Sequence, residues 1–156
     1  MMKKAMYCTI LLSVFLSARA LAQDAAIFPK GEISATNNHT GTVWLTELNV
    51  ADSVIDCNVA QATFAAGAKL DWHIHPLGQI LLITDGTGYY QEKGKPARRI
   101  STGDVVNIPE TVEHWHGATA QSKMVHIAIT NYKGDENVVW LKPVSGEDYQ
   151  AANAAS

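Results

Sequence analysis

The chain has 156 residues, 47% of them hydrophobic, and a formal charge of −3 at neutral pH. This length supports one domain with a real core and is too short for two of ordinary size. There is no basic stripe and no run of like charge, which excludes nucleic acid as the expected partner.

Residues 1–22 read as a secretory signal. Lys3 and Lys4 form a positive start, Ile10 to Leu16 a short apolar core, and Ala20-Leu21-Ala22 an Ala-x-Ala cleavage site. The apolar run is too short for a permanent membrane anchor. Cleavage after Ala22 is expected to send a mature chain, Gln23 to Ser156, to a periplasm or beyond, with no membrane contact afterwards. Loss of Lys3, Lys4 and Arg19 takes the formal charge from −3 to −6. Cys8 leaves as well, so Cys57 has no partner for a disulfide and is expected to be buried and inert.

Residues 23–41 form a polar N-terminal arm in which His39 reads as a surface residue. A barrel is expected over 42–142 and a tail over 143–156. Thr42 to Leu48 alternates as a strand, and Val54 to Phe64 reads as a second, with Ala60, Ala62 and Phe64 on one face. Leu70 to His75 is the third and Gln79 to Thr84 the fourth. Asp85-Gly86-Thr87-Gly88 reads as a hairpin turn, with Tyr89 to Glu92 returning. Ala97 to Ile100, Val105 to Ile108, Val112 to His116, Lys123 to Thr130 and, after Gly134, Val138 to Trp140 follow as short strands. Ser145 to Ala152 suits a short helix capped by Ser145. Many short strands with close turn signals and almost no helical period predict an all-β sandwich or barrel.

The chemistry concentrates at Trp72-His73-Ile74-His75-Pro76-Leu77-Gly78-Gln79. Histidines two apart on a strand leave the same face, with Cα atoms roughly 6.6 Å apart at ~3.3 Å per residue. Two such rings can share one ion. Glu113-His114-Trp115-His116 repeats the His-x-His arrangement, so His116 shares a face with His114. On the last long strand His126 shares a face with Met124, Ala128 and Thr130.

Gly67, then His73-x-His75, Gln79 and Gly86 resemble the first signature of the cupin family, with Gln where Glu is usual. Gly103, Pro109 and His114 resemble the second, with Thr111 at the position of its usual glycine. The resemblance spans roughly Thr42 to Trp140 and implies a cupin (double-stranded β-helix, jelly-roll) barrel. It implies one divalent metal held by His73, His75, Gln79 and His114. Manganese leads, with iron, nickel or zinc as alternatives. A neutral Gln in place of Glu leaves such a site one unit more positive, which favours Lewis-acid work.

The Trp72–Gln79 and Glu113–Ala118 stretches, with Met124–Ile129, resemble more narrowly the small single-domain cupins. These include manganese-dependent hydroxynitrile lyases and cupins associated with carboxymuconolactone decarboxylases. That likeness implies a metal-dependent lyase on a small-molecule substrate. His126 would act across a gap from the metal as acid or base, assisted by His116. Ala60 and Ala62 would line the pocket with Thr130, which stands where those lyases have Gln. An iron-dependent dioxygenase and a non-catalytic cupin binding a small ligand or metal are the alternatives. The outward apolar faces, carrying Trp72, Trp115, Val125 and Ile127, predict a homodimer or higher homo-oligomer unless the arm and tail cover them.

Overall fold

The computed structural model describes residues 27–132 and 138–154. The signal segment and Gly134 lie outside the described residues. Among the described residues, twelve strands and one helix follow in order: β1 Glu32–Ile33, β2 His39–Thr40, β3 Val43–Asn49, β4 Cys57–Phe64, β5 Lys69–Leu70, β6 His73–Ile74, β7 Gln79–Glu92, β8 Arg98–Ser101, β9 Val105–Ile108, β10 His114–Ala118, β11 Met124–Asn131, β12 Val139–Trp140 and α1 Gly146–Ala154. All pairings are antiparallel. One sheet runs β1-β3-β4-β11-β7-β9; the other joins β8, β7 and β10, with β5 and β6 on the far side of β10, β2 beyond β5 and β12 beyond β6. The two sheets share β7 and curl around one interior, so the all-β expectation with a short C-terminal helix is met.

The main departure from expectation is β7. The predicted hairpin at Asp85–Gly88 does not reverse the chain; residues 79–92 form one strand. Its first half pairs with β11 and β9, its second with β10 and β8. Gly86 has φ +75° and lies so close to Lys123 that a Cβ would collide with the Lys123 carbonyl oxygen. The glycine therefore marks a bend with close backbone approach, not a turn. Alternation slips there by one residue. Leu81 and Ile83 point inward before the bend and Tyr90 after it, and the pairing with β11 is irregular at the same place.

Three smaller differences have local causes. The strand expected over Leu70–His75 breaks at Asp71-Trp72, where Trp72 exchanges backbone hydrogen bonds with Leu141 and Lys142 (2.8 and 3.0 Å). The strand expected from Val54 starts at Cys57, because the Asp52 carboxylate accepts from the amides of Val54 and Ile55 (2.7 Å each) and holds a turn. Cys57 itself is half-buried. The arm is partly sheet. β1 pairs with β3, β2 with β5, and Gln61 Nε2 ties residues 28–29 over the first sheet (2.9 Å to Pro29 O).

Two apolar clusters result. Val43, Phe64, Leu81, Ile83, Ile100, Val106 and Met124 fill the interior. Trp72, Tyr89 and Trp115 form a second cluster outside the second sheet, under Val144, Tyr149 and Ala152. Trp72 and Trp115 are 3% and 0% exposed, so the tail covers them and they are not free for subunit contacts. The helix starts as expected, with Ser145 Oγ accepting from the Asp148 amide (3.0 Å).

Candidate metal and substrate site

The interior histidines come from both sheets. β6 and β10 set His73 directly against His114, with ring centroids 4.2 Å apart. His75, just past β6, lies 5.1 Å from His73 and 5.7 Å from His114. Its carbonyl accepts from the amides of Gly78 and Thr111 (3.1 Å each), which fixes the backbone between the two signature segments. Thr111 reaches that bond at φ +62°, the left-handed region where the resemblance expects glycine.

Second-layer hydrogen bonds set the tautomers. His73 Nδ1 is 2.8 Å from the Asp71 carbonyl, and His114 Nδ1 is 2.8 Å from the Val112 carbonyl. A carbonyl only accepts, so each Nδ1 carries the hydrogen and each Nε2 presents its lone pair inward. Both Nε2 atoms are buried with no hydrogen-bond partner. Gln79 is arranged alike. Its Nε2 donates to Thr130 Oγ1 (3.0 Å), while Oε1 is buried and unpartnered. Burial pulls the His114 pKa down to about 4 and that of His73 well below its ordinary value. The imidazoles are therefore neutral at pH 7, as metal ligation requires. A buried set of neutral nitrogen donors and one amide oxygen, stripped of other partners, fits a divalent transition metal.

Among the described residues, one group of three brings its ligand atoms within 4.8 Å of one another: His73, His114 and His116. His75 is outside that trio, although it lines the same interior. His116 also faces the other way, with its ring 4.9 Å from His126 at 83°. Phe64 stacks on His126 (5.4 Å, 29°) and meets His116 edge-on (6.0 Å). Both ring nitrogens of His116 and Nδ1 of His126 are buried and unpartnered. Burial lowers the His126 pKa to about 4 and takes His116 well below its usual value.

A cavity of about 290 Å³ opens over this cluster. Its walls include His73, His75, Gln79, His116, His126 and, on one sheet, Ala60, Ala62, Ala128 and Thr130. The candidates singled out by sequence thus lie around one cavity, except that His114 is not part of its walls and sits with its ring centroid 4.2 Å from that of His73. Small alanines beside His126 leave the open volume. Thr130 lines the cavity, and its hydroxyl also accepts a hydrogen bond from the Gln79 amide. His39 stays apart, half-buried, with Nδ1 3.0 Å from the Gly41 carbonyl.

Trp140 was not singled out by sequence. It pairs in register with His73, its ring lies 4.9 Å from the His73 imidazole at 42°, and it lines the cavity. A lone Trp on a two-residue strand carries no local signal of that position.

Residues 60–130 match the family model of the cupin domain. An (R)-mandelonitrile lyase from Granulicella tundricola is 39% identical over 111 residues, which is 71% of this chain and 85% of that protein. The crystal structure of a cupin-like protein from Thermotoga maritima is 42% identical and superimposes with a TM-score of 0.79, over 84% of this chain and 99% of that one. A cupin-2 domain protein from Rhodospirillum rubrum shares the fold alone, at 16% identity, TM-score 0.61, and coverage of 85% and 87%. Signature spacing, the two-sheet barrel with its interior histidines, and these likenesses agree: the chain belongs to the cupin family, as a small protein of cupin type 2.

Proposed function

We propose that the protein is an exported, metal-dependent hydroxynitrile lyase that cleaves a cyanohydrin into a carbonyl compound and hydrogen cyanide. The observation that carries this reading is His126. It is buried in the cavity wall with Nδ1 unpartnered, on the sheet opposite His73 and His114. The relative named (R)-mandelonitrile lyase supplies the substrate class.

The proposed ligands are His73, His75, Gln79 and His114, with manganese first and iron, nickel or zinc as alternatives. When bound, the cation supplies a Lewis acid that stabilises negative charge on the substrate oxygen. The chain supplies the rest. His126 accepts the hydroxyl proton. The O–H electron pair becomes the second carbonyl bond, and the carbon–carbon bond breaks with its electrons leaving on cyanide. The proton then passes to cyanide, with His116 beside His126 assisting, and hydrogen cyanide leaves. Phe64 holds the His126 ring by stacking, and the alanines keep the approach open.

The test uses the mature, manganese-loaded protein and mandelonitrile. Cyanide should be released, and His126→Ala should keep metal while losing about 10²–10⁴-fold in turnover. His75→Ala should empty the metal site and His116→Ala should not; the reverse result would place His116 among the ligands. An intact rate in His126→Ala removes the mechanism. Oxygen uptake without cyanide release would favour the iron-dependent dioxygenase. Export is part of the proposal, and protein recovered from its host should begin at Gln23.

A further inference from the structure

We infer that Trp140 is the recognition wall for an aryl group, so that the cavity selects an aromatic cyanohydrin over one carrying a saturated ring of the same size. This rests on the lyase reading for the reaction, but the wall itself follows from geometry.

Trp140 is held from several directions. Its backbone pairs with His73, and Val139 pairs with Ile74. On either side the Trp72 carbonyl accepts from the Leu141 amide (2.8 Å), and the Trp72 amide donates to the Lys142 carbonyl (3.0 Å). These bonds fasten the strand across the break at Asp71-Trp72 and fix the backbone from which the indole projects. The ring tilts against His73 without stacking flat on it, so indole surface is left to line the cavity. Leu70 and Val138 also line the cavity with apolar side chains.

The opposite wall belongs to the other sheet, where Ala60, Ala62 and Ala128 present no bulk around His126. A substrate with its reacting carbon between His126 and the histidine donors has room to send its remaining substituent along the wall that Trp140 forms. The indole offers a flat ring an aromatic face, and the small side chains across the cavity leave volume for it. Aromatic rings also gain about 0.5–1.5 kcal/mol from each other beyond buried area, a factor of about 2 to 12. A saturated ring is thicker and gains nothing from the indole quadrupole.

The test separates recognition from chemistry. Benzyl alcohol and cyclohexylmethanol carry a hydroxymethyl group on six-membered rings and have no cyanide to lose. Titrated calorimetrically into the manganese-loaded protein, benzyl alcohol should bind about fivefold more tightly. Trp140→Phe should keep that ratio. Trp140→Leu, which preserves apolar bulk, should bring it close to one with metal content unchanged. Should Trp140→Ala fail to fold, the Leu variant decides. On substrates, Trp140→Leu should raise KM for mandelonitrile but not for the cyanohydrin of cyclohexanecarbaldehyde, with kcat nearly unchanged for both. A preference that survives in Trp140→Leu overturns the inference. So does metal loss in that variant, since Trp140 would then only support His73. Aryl preference without cyanide release would leave the wall standing and remove the lyase reading alone.

Discussion

Thr130 holds the Gln79 amide by its nitrogen and so turns the amide oxygen inward. Removing the acceptor frees the amide to rotate and leaves its NH₂ buried without a partner. Thr130→Val should therefore weaken manganese binding by about 10- to 100-fold, the usual cost of losing an outer-layer hydrogen bond. Competition with a chelator measures it, and unchanged affinity would show that Gln79 Oε1 is not a ligand. Thr111 offers a test of the opposite sign. A β-branched residue at φ +62° sits in a region that costs L-residues roughly 1–2 kcal/mol, and glycine carries no such penalty. Thr111→Gly should raise stability by about 1 kcal/mol, read as a higher urea midpoint, while its amide still reaches the His75 carbonyl. His73, His75, Gln79 and His114 could be found in the sequence because their signal is short-range spacing. Thr130 could not be given its role in that way. It meets Gln79 through the register of β11 on β7, 51 residues apart, and Trp140 meets His73 through the register of β12 on β6.

Among the elements, periodicity located most strands but not what their ends do. Gly86 reads equally well as a turn or as a bend, and only the partner strands decide between them. Here β11 and β9 hold one half of β7 and β10 and β8 the other, so the strand carries Gln79 into one sheet and Tyr90 into the other. The helix α1 was legible from its cap, but its task was not. It lies over Trp72 and Trp115, with Tyr149 Oη donating to the Ala118 carbonyl (2.9 Å) and Asn153 Oδ1 accepting from the Ala120 amide (3.1 Å). The Lys69 ammonium sits 4.4 Å from the Tyr149 ring centre. Tyr149→Phe should cost about 1 kcal/mol for the lost hydrogen bond. Tyr149→Ala, which also uncovers part of Trp115, should cost about 3 kcal/mol. Both are read by denaturant unfolding, and equal small losses would show that the helix merely rests on the sheet. Tyr149, far beyond His126 in sequence, packs against Trp115 on the back of the strand that carries His114 and His116. Loosening that contact should blunt metal affinity less than stability.

At the scale of the whole molecule the two sheets differ in what covers them, and that difference redirects the expected oligomer. The outside of the second sheet is closed by α1. The outside of the first is covered by the arm at Gln61 and Thr46, where Pro29 O accepts from both side chains. Beyond it, Val105, Leu82 and Ile127 form one row across three strands, and Asn107, Ile80 and Ile129 the next. Val105 is 51% exposed and Ile80 38%, whereas Val125 on the same face is buried. We propose that a second copy packs here, face to face, because Val105 and Ile80 leave apolar surface exposed that burial against another copy would remove from water. The chain's formal charge of −3 disfavours a close approach elsewhere on the surface, while this face carries no charge in either row. Light scattering should give a dimer or a multiple of it at micromolar concentration. Ile80→Lys places two like charges across the axis and should weaken association by about tenfold or more, leaving metal content unchanged. A monodisperse monomer for the unaltered protein would sink the proposal. A dimer indifferent to Ile80→Lys would move the interface off this face and leave the oligomer itself in place.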